Sequence, residues 1–444
     1  MKTRYLQGAV AGLCFADHKM AFVSGPRQCG KTTLAKAMLA KRENGVYHNW
    51  DEVTFRRQWV KDPRTTLPVP GAAGCPLVVY DEIHKAKTWK RSLKGVFDTL
   101  VQPVDILVTG SARLNVYRRG ENSLVGRYHH FRLHPFSVRE ALGLELPNPD
   151  DALKTVLMED SGFSADAEEA FESMFRYGMF PEPFLAQDDR KARLWRRARV
   201  ERVIREDLRD LSRTLELSQV EMLASLLPER VGSPLPITAL NELLEVSHGT
   251  VKRWLSFLKE LYYAFELKPY HNHVTRSLRK EGKFYLWDAS EVPDDAARLE
   301  NLIACHLLKA CQLWTDCGEG DFDLYYLRDK QKNEIDFLIT RDKQPWLPVE
   351  VKLTKPGTVG VMATPLALPA VSGGHPGVQP HGRARGPFHR QPTTDRHERS
   401  GLVGVFPLKL QPRMAANKRE FRHEDARTEW TPAYAHAPIS ASVT

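Results

Sequence analysis

Three stretches of this chain carry reactive side chains at spacings that suit particular chemistries. The first is Gly25-Pro26-Arg27-Gln28-Cys29-Gly30-Lys31-Thr32-Thr33, set between the apolar run Ala21–Ser24 and an amphipathic stretch of helical period. G-x-x-x-x-G-K-T between a strand and a helix is the pattern of a phosphate-binding loop. The chemistry demands this spacing. Backbone N–H groups of the loop and helix start must converge on a phosphate, and Gly30 lets the backbone approach closely. Lys31 is expected to reach the β- and γ-phosphates, and the Thr32 hydroxyl to ligate Mg²⁺. The alternative is a glycine-rich turn with a surface lysine, which the strand–loop–helix setting disfavours. ATP and Mg²⁺ are the expected cofactors, with Gly25 through Thr33 as the binding residues.

The second stretch, Leu77-Val78-Val79-Tyr80-Asp81-Glu82, reads as a buried parallel strand ending in two carboxylates. Behind a phosphate loop, Asp81 is expected to hold Mg²⁺ and Glu82 to orient and polarise the attacking water. The competing reading is a helix N-cap with an acid in the first turn. A third apolar run, Asp105-Ile106-Leu107-Val108, ends in Thr109-Gly110-Ser111. It is expected to set the Ser111 hydroxyl beside the γ-phosphate as a sensor; the alternative is a plain strand-to-helix turn. Cys29 reads as a small filler in the loop, or as a redox-sensitive thiol.

The runs GPRQCGKTT, VVYDEIHKA, ILVTGSARL and SLVGRYHHFRLHPFS, followed by Tyr177-Gly178-Met179-Phe180-Pro181-Glu182-Pro183 and the Arg-rich RVERVIREDLRDLSR, resemble prokaryotic AAA+-type ATPases in which an AAA domain precedes a domain of unknown function. The resemblance runs from about residue 1 to about residue 355. It implies that Arg127, in the L-x-G-R element, is an arginine finger or sensor; a surface salt bridge is the equal alternative. His84 departs from the family's usual Gln, a change expected to matter little.

Elements must position these groups. Residues 186–227 alternate acid and base at helical spacing, as a solvated helix face does. Ile237–Leu244, a turn at Val246-Ser247 and HGTVKRWLSFLKEL read as a helix-turn-helix, with Ser247 as N-cap and Val251, Leu255, Leu258 and Leu261 buried. Thr250, Lys252 and Arg253 lie off that stripe, where a recognition helix meets DNA. Leu261–Tyr270 is the expected wing. A packing or lid role is the alternative.

The third reactive stretch is C-terminal. Asp294–Leu313 reads as a helix containing Glu300, followed by strands DFDLYYLRD, NEIDFLITR and LPVEVKL. Strand alternation puts Asp336 opposite the apolar face of its strand, and sets Glu350 and Lys352 together on the next. This order resembles the PD-(D/E)XK nuclease fold, to which the family's C-terminal domain is similar. It implies a second Mg²⁺ site at Glu300, Asp336 and Glu350, with Lys352 as catalytic amine. Without metal, converging carboxylates should repel and raise a pKa. From about Gly357 neither helical nor strand period continues. Residues 361–444 carry 11 Lys and Arg against 6 Asp and Glu, and 10 of the 29 prolines. That shift reads as a disordered basic arm or an out-of-frame translation.

The 444 residues suggest two or three domains, and 42% hydrophobic with 27% charged residues excludes global disorder and fibrous architecture. No apolar run approaches the roughly 18 residues of a membrane span. The N-terminus lacks a secretory apolar region, and six cysteines without a C-x-x-C pair read as reduced thiols, so a cytoplasmic location is expected. A net charge of +9 permits nucleic acid as a partner.

The expected fold is α/β: a P-loop NTPase parallel sheet, then a helical and winged-helix middle, then a partial nuclease-like α/β domain. The boundaries are 1–145 for the ATPase domain, 146–230 for the helical region, 231–280 for the winged helix, 281–356 for the nuclease-like domain and 357–444 for the atypical tail. The expected function is Mg²⁺-dependent ATP hydrolysis, coupled to DNA or a protein partner, with no membrane partner and self-association open. The alternatives are a nucleotide-switched DNA-binding or scaffold protein with little turnover, and an ATP-gated nuclease.

Overall fold

Strands that alternate large apolar side chains on both faces need cover on both, and the N-terminal sheet supplies it. The computed structural model describes residues 3–69, 74–111, 124–157, 164–203, 217–270, 281–328, 333–355 and 358–363. Five parallel strands, β1 (Met20–Ser24), β2 (Gly45–Asn49), β3 (Leu77–Asp81), β4 (Asp105–Gly110) and β5 (Tyr128–Arg132), lie in the order β2-β3-β4-β1-β5. Ala21, Val23, Val79 and Leu107 face helix α1 (Lys31–Leu39) through Leu34, Ala35 and Met38. Phe22, Val78, Tyr80, Ile106 and Val108 face the other way, against α2 (Val53–Lys61) and α3 (Trp89–Asp98) through Phe55, Trp59, Trp89 and Leu93. This is the α/β fold of a P-loop NTPase. The strand that ends in Thr109 runs between the strand of the phosphate loop and the strand of Asp81, so three reactive termini share one sheet edge.

A helical region follows. Helix α4 (Ala165–Tyr177) starts at Ser164, whose side chain accepts from Ala167 N, and stops at Gly178, whose φ of 93° suits glycine. Helix α5 (Asp189–Glu201) begins at Asp188 in the same way, and α6 spans Leu217–Leu226. Residues 204–216, which include most of the Arg-rich run, lie outside the described residues. Helices α7 (Ile237–Leu243) and α8 (His248–Glu260) form the expected pair, with Ser247 capping Thr250 N and Val251, Leu255 and Leu258 buried along with Trp254. Strand β6 (Ala264–Leu267) then pairs antiparallel with β7 (Lys283–Leu286).

The C-terminal part is mixed α/β. Its long helix α9 (Asp295–Asp316) is capped by Asp294 and packs on an antiparallel sheet of order β11-β10-β9-β8, formed by Phe322–Arg328 (β8), Glu334–Arg341 (β9), Gln344–Lys355 (β10) and Thr358–Ala363 (β11). The last strand corrects the sequence reading at its boundary. Residues 358–363, expected to be unstructured, pair with β10 from Val349↔Ala363 to Lys355↔Thr358. A hairpin return needs only backbone pairing, which a composition weak in periodicity does not announce. The rest of the atypical tail lies outside the described residues.

One cluster of buried side chains runs from Leu6 through Phe131 and Trp254 to Trp314 and Val349. The sheet that carries the phosphate loop thus shares a core with the helical and C-terminal parts. Among the described residues no helix is long and apolar enough to cross a membrane.

Candidate nucleotide-binding site

Strand β1 delivers the chain into the loop at Ser24, and α1 begins at Lys31 after Gly30 turns through a φ of 97°. Gly25 is required by space, and Gly30 by its left-handed backbone as well as by the nearby Arg4 side chain. A Cβ on Gly25 would lie 2.2 Å from the Leu133 carbonyl oxygen, and one on Gly30 would lie 2.6 Å from the Arg4 guanidinium. Gln28 also holds a positive φ of 62°. The Lys31 ammonium donates to the Gly25 and Pro26 carbonyls at 3.0 and 2.7 Å, within the loop's own curve. Cys29 is fully buried, and its thiol donates to Leu133 O at 3.5 Å, which fits the filler reading.

Asp81, at the end of β3, is almost fully buried and accepts three hydroxyl hydrogen bonds. They come from Thr32 at 2.7 Å, Thr109 at 2.5 Å and Tyr47 at 2.6 Å. The Thr32–Asp81 pair is a fitting donor set for a hard cation, one hydroxyl and one carboxylate, with Thr32 exposed. Glu82 follows in a left-handed backbone conformation, φ 59°, with its N–H held by the Thr109 carbonyl at 2.9 Å. Such strain in a non-glycine residue persists where the surroundings fix it. Burial raises the Glu82 pKa; Lys31 and Lys85 oppose the rise and the Asp81 charge adds to it.

Thr109, two residues before the expected sensor Ser111, is a further hydroxyl at this edge and reaches Asp81. Ser111 Oγ lies 3.4 Å from His84 Nε2, and that nitrogen lies 3.6 Å from Glu82 Oε2. One ring nitrogen of His84 thus lies near both the Ser111 hydroxyl and the Glu82 carboxylate. Arg27 and Thr33 flank the loop as the motif places them, and their roles rest on the motif.

Residues 17–142 match the AAA domain family, residues 168–292 a domain of unknown function (DUF8612) and residues 296–362 another (DUF4143). The N-terminal unit is thus similar to AAA domains over residues 17–142, a likeness that supports an ATP-binding function. Curated relatives include an uncharacterized protein of Mycobacterium tuberculosis, 24% identical across 63% of this chain and 57% of its own length, so the chain spans a little over half of that relative. Another is an uncharacterized protein of Haemophilus influenzae, 22% identical across 65% of this chain and 74% of its own length. Among solved structures, the chain is similar to a Walker-type ATPase of Pyrococcus abyssi (TM-score 0.38, 14% identity, 67% of this chain and 96% of that one). It is also similar to AMPPCP-bound DnaA from Aquifex aeolicus (TM-score 0.25, 15% identity, 57% and 86%).

The P-loop domain is braced from outside by groups that no motif announced. Buried Arg4 donates to the Cys29 carbonyl inside the loop, to Glu140 at 2.5 Å and to His134 O at 2.6 Å. On its other oxygen Glu140 accepts from Lys309 of α9 at 2.5 Å. Burial would raise the Glu140 pKa, but the charges of Arg4 and Lys309 hold it below the ordinary value. Burial also pushes Lys309 down to about 8. Lys309, Gln312 and Asp316 share one face of α9. Gln312 meets His134 at 2.8 Å, and Asp316 takes the Arg132 guanidinium at 2.6 Å. Tyr262, after α8, places its hydroxyl 3.3 Å from Ser24 Oγ, the last residue before the loop. A signal for these was present only as buried charge in otherwise apolar runs.

Two expectations are corrected. Arg127 stands just before β5, at the sheet edge opposite the phosphate loop, and forms an ion pair with Asp98 at 2.5 and 2.9 Å. The length of β5 puts it roughly 15 Å from the reactive edge. In its own chain it is therefore a surface ion pair and not a sensor. The second metal site is not assembled either. Among the described residues no group of three or more His, Cys, Asp and Glu could hold a metal ion. Glu350 and Lys352 pair with each other at 2.9 Å near the surface. Glu300 accepts from Tyr285 OH at 2.7 Å and from the Lys283 ammonium at 3.2 Å, and Asp336 accepts from Val351 N at 2.7 Å. Burial first, and then the Glu300 charge, push Asp336 up to about 7, with Glu350 adding to the rise.

Proposed function

We propose that this protein hydrolyses ATP to ADP and phosphate with Mg²⁺, and that turnover is coupled through α7 and α8 to a partner, for which DNA is the first candidate. The observation that carries the reading is the convergence on Asp81, where Thr32, Thr109 and Tyr47 all meet one buried carboxylate beside Glu82. In this reading the loop N–H groups and Lys31 bind the β- and γ-phosphates. Thr32 and Asp81 hold Mg²⁺, which when bound neutralises charge on the phosphate oxygens. Glu82 orients the attacking water and takes its proton as the water oxygen bonds to the γ-phosphorus and the β–γ bridging bond breaks. A carboxylate of raised pKa suits that work near neutral pH. His84 and Ser111 steady Glu82 from its far side.

The coupling rests on Tyr262, which carries the end of α8 to the strand of the phosphate loop. Lys252 and Arg253 are exposed on α8 and fit phosphate contacts. Phosphate release by the full chain, with and without duplex DNA, tests both halves. The expected result is Mg²⁺-dependent turnover that DNA raises, with the DNA effect lost in Lys252→Ala/Arg253→Ala while basal turnover stays. Tight ATP binding without release under either condition would replace hydrolysis by a nucleotide-switched binding role. Turnover insensitive to DNA would leave a protein as the partner.

A further inference from the structure

The nuclease resemblance implies a divalent cation among Glu300, Asp336 and Glu350, and the side chains present do not fit one. Lys283 of β7 enters this cluster instead. Its side chain is 1% exposed, and its ammonium pairs with Glu300 at 3.2 Å and, more closely, with Glu334. Tyr285, two residues along the same strand face, donates to the same Glu300 oxygen at 2.7 Å. Glu334 and Asp336 lie two apart on β9, so they share the strand face turned toward this centre. A divalent cation draws several oxygens to about 2.0–2.6 Å and does not tolerate an ammonium among them. Lysine is charged at neutral pH and carries three donors, enough to satisfy two carboxylates here.

We infer that Lys283 is a resident cation in this domain, standing where the nuclease resemblance calls for a metal, so that the centre holds its carboxylates without metal and does not cleave phosphodiesters. The cluster works as a pin. It fastens β7, α9 and β9 together, and α9 is the helix whose opposite end meets the P-loop domain through Lys309 and Asp316.

The test is thermal melting of the full chain without nucleotide, in EDTA and across a Mn²⁺ titration to roughly millimolar concentration. Wild type and Asp336→Asn should respond to Mn²⁺ alike, which removes any contribution from the Thr32–Asp81 region. Lys283→Met should melt roughly 5 °C lower in EDTA, because it leaves two half-buried carboxylates without their cation. Mn²⁺ should return part of that loss. Plasmid DNA incubated with wild type and Mg²⁺ or Mn²⁺ should stay supercoiled. A Mn²⁺ stabilisation of wild type that disappears in Asp336→Asn overturns the inference, as does nicking abolished by Lys352→Ala. Lys283→Met melting like wild type would show that the lysine is not the compensating charge. Should that variant fail to fold, the wild-type and Asp336→Asn comparison decides alone.

Discussion

At the scale of single residues, the nucleotide site is a set of hydroxyls gathered on one carboxylate. Lys31→Ala removes the one ammonium of the loop motif, and charge-assisted contacts to phosphate are among the stronger hydrogen bonds. Its ATP affinity, measured by isothermal titration, should fall by roughly 10²-fold; wild-type affinity would overturn the role of the loop. Tyr47→Phe is a milder change. It withdraws one of three hydroxyls from Asp81 and should cost about 0.5–1.5 kcal/mol of folding stability, read from urea unfolding. No motif could have named Tyr47, because β2 comes between the loop and Asp81 in sequence and offers only a tyrosine in a short strand. Thr109 was within reach of the sequence, since it ends an apolar strand two residues before Ser111. Thr109 and Ser111 share a face by strand alternation, so the choice between them depends on register: Thr109 stands directly across from Asp81.

At the scale of elements, the structure turns on how α9 meets the phosphate loop. Glu140 sits between Arg4 and Lys309, buried, with both partners at 2.5 Å. Removing Arg4 leaves a buried carboxylate with one cation, so Arg4→Met should destabilise the fold by about 3–5 kcal/mol. It should also weaken ATP binding, because Arg4 holds the Cys29 carbonyl. Arg4→Lys, which keeps the charge but not the fork, should fall between. The pH dependence follows from the depressed Glu140 pKa. A carboxyl with a lowered folded value lends stability that is complete above its unfolded value of about 4.3 and is lost as pH falls through the folded one. Glu140→Gln should therefore be less stable at pH 7 and show a shallower acid slope in urea melts taken from pH 7 to pH 3. An unchanged slope would count against the triad.

These elements were unequally legible. Helix α9 and strands β8 to β10 were plain from capping and alternation, since Asp294 and the apolar positions 335, 337 and 339 speak locally. Lys283 and Glu334 were not, because a lone charge in a strand declares its partner only once the strands are assembled. Arg127 was legible in part: its motif fixes a place in sequence, while the direction of β5 decides which end of the sheet it occupies.

At the scale of the whole molecule, the P-loop domain is not a separate bead. The core that begins at Leu6 continues through Trp254 to Val349, and Arg132–Asp316 and Ser24–Tyr262 cross between parts. These contacts tie the strand of the phosphate loop to the end of α8, and the neighbouring strand to α9, and the proposed coupling rests on them. The central claim is that this site hydrolyses ATP with Glu82 as its base. The most direct measurement pairs equilibrium Mg·ATP binding with single-turnover phosphate release in wild type and Glu82→Gln. Asp81, Thr32 and Lys31 remain in the variant, so binding should stay within a few-fold of wild type while release slows by roughly 10²-fold or more. Release at the wild-type rate in Glu82→Gln, or binding and release lost together, would contradict the account.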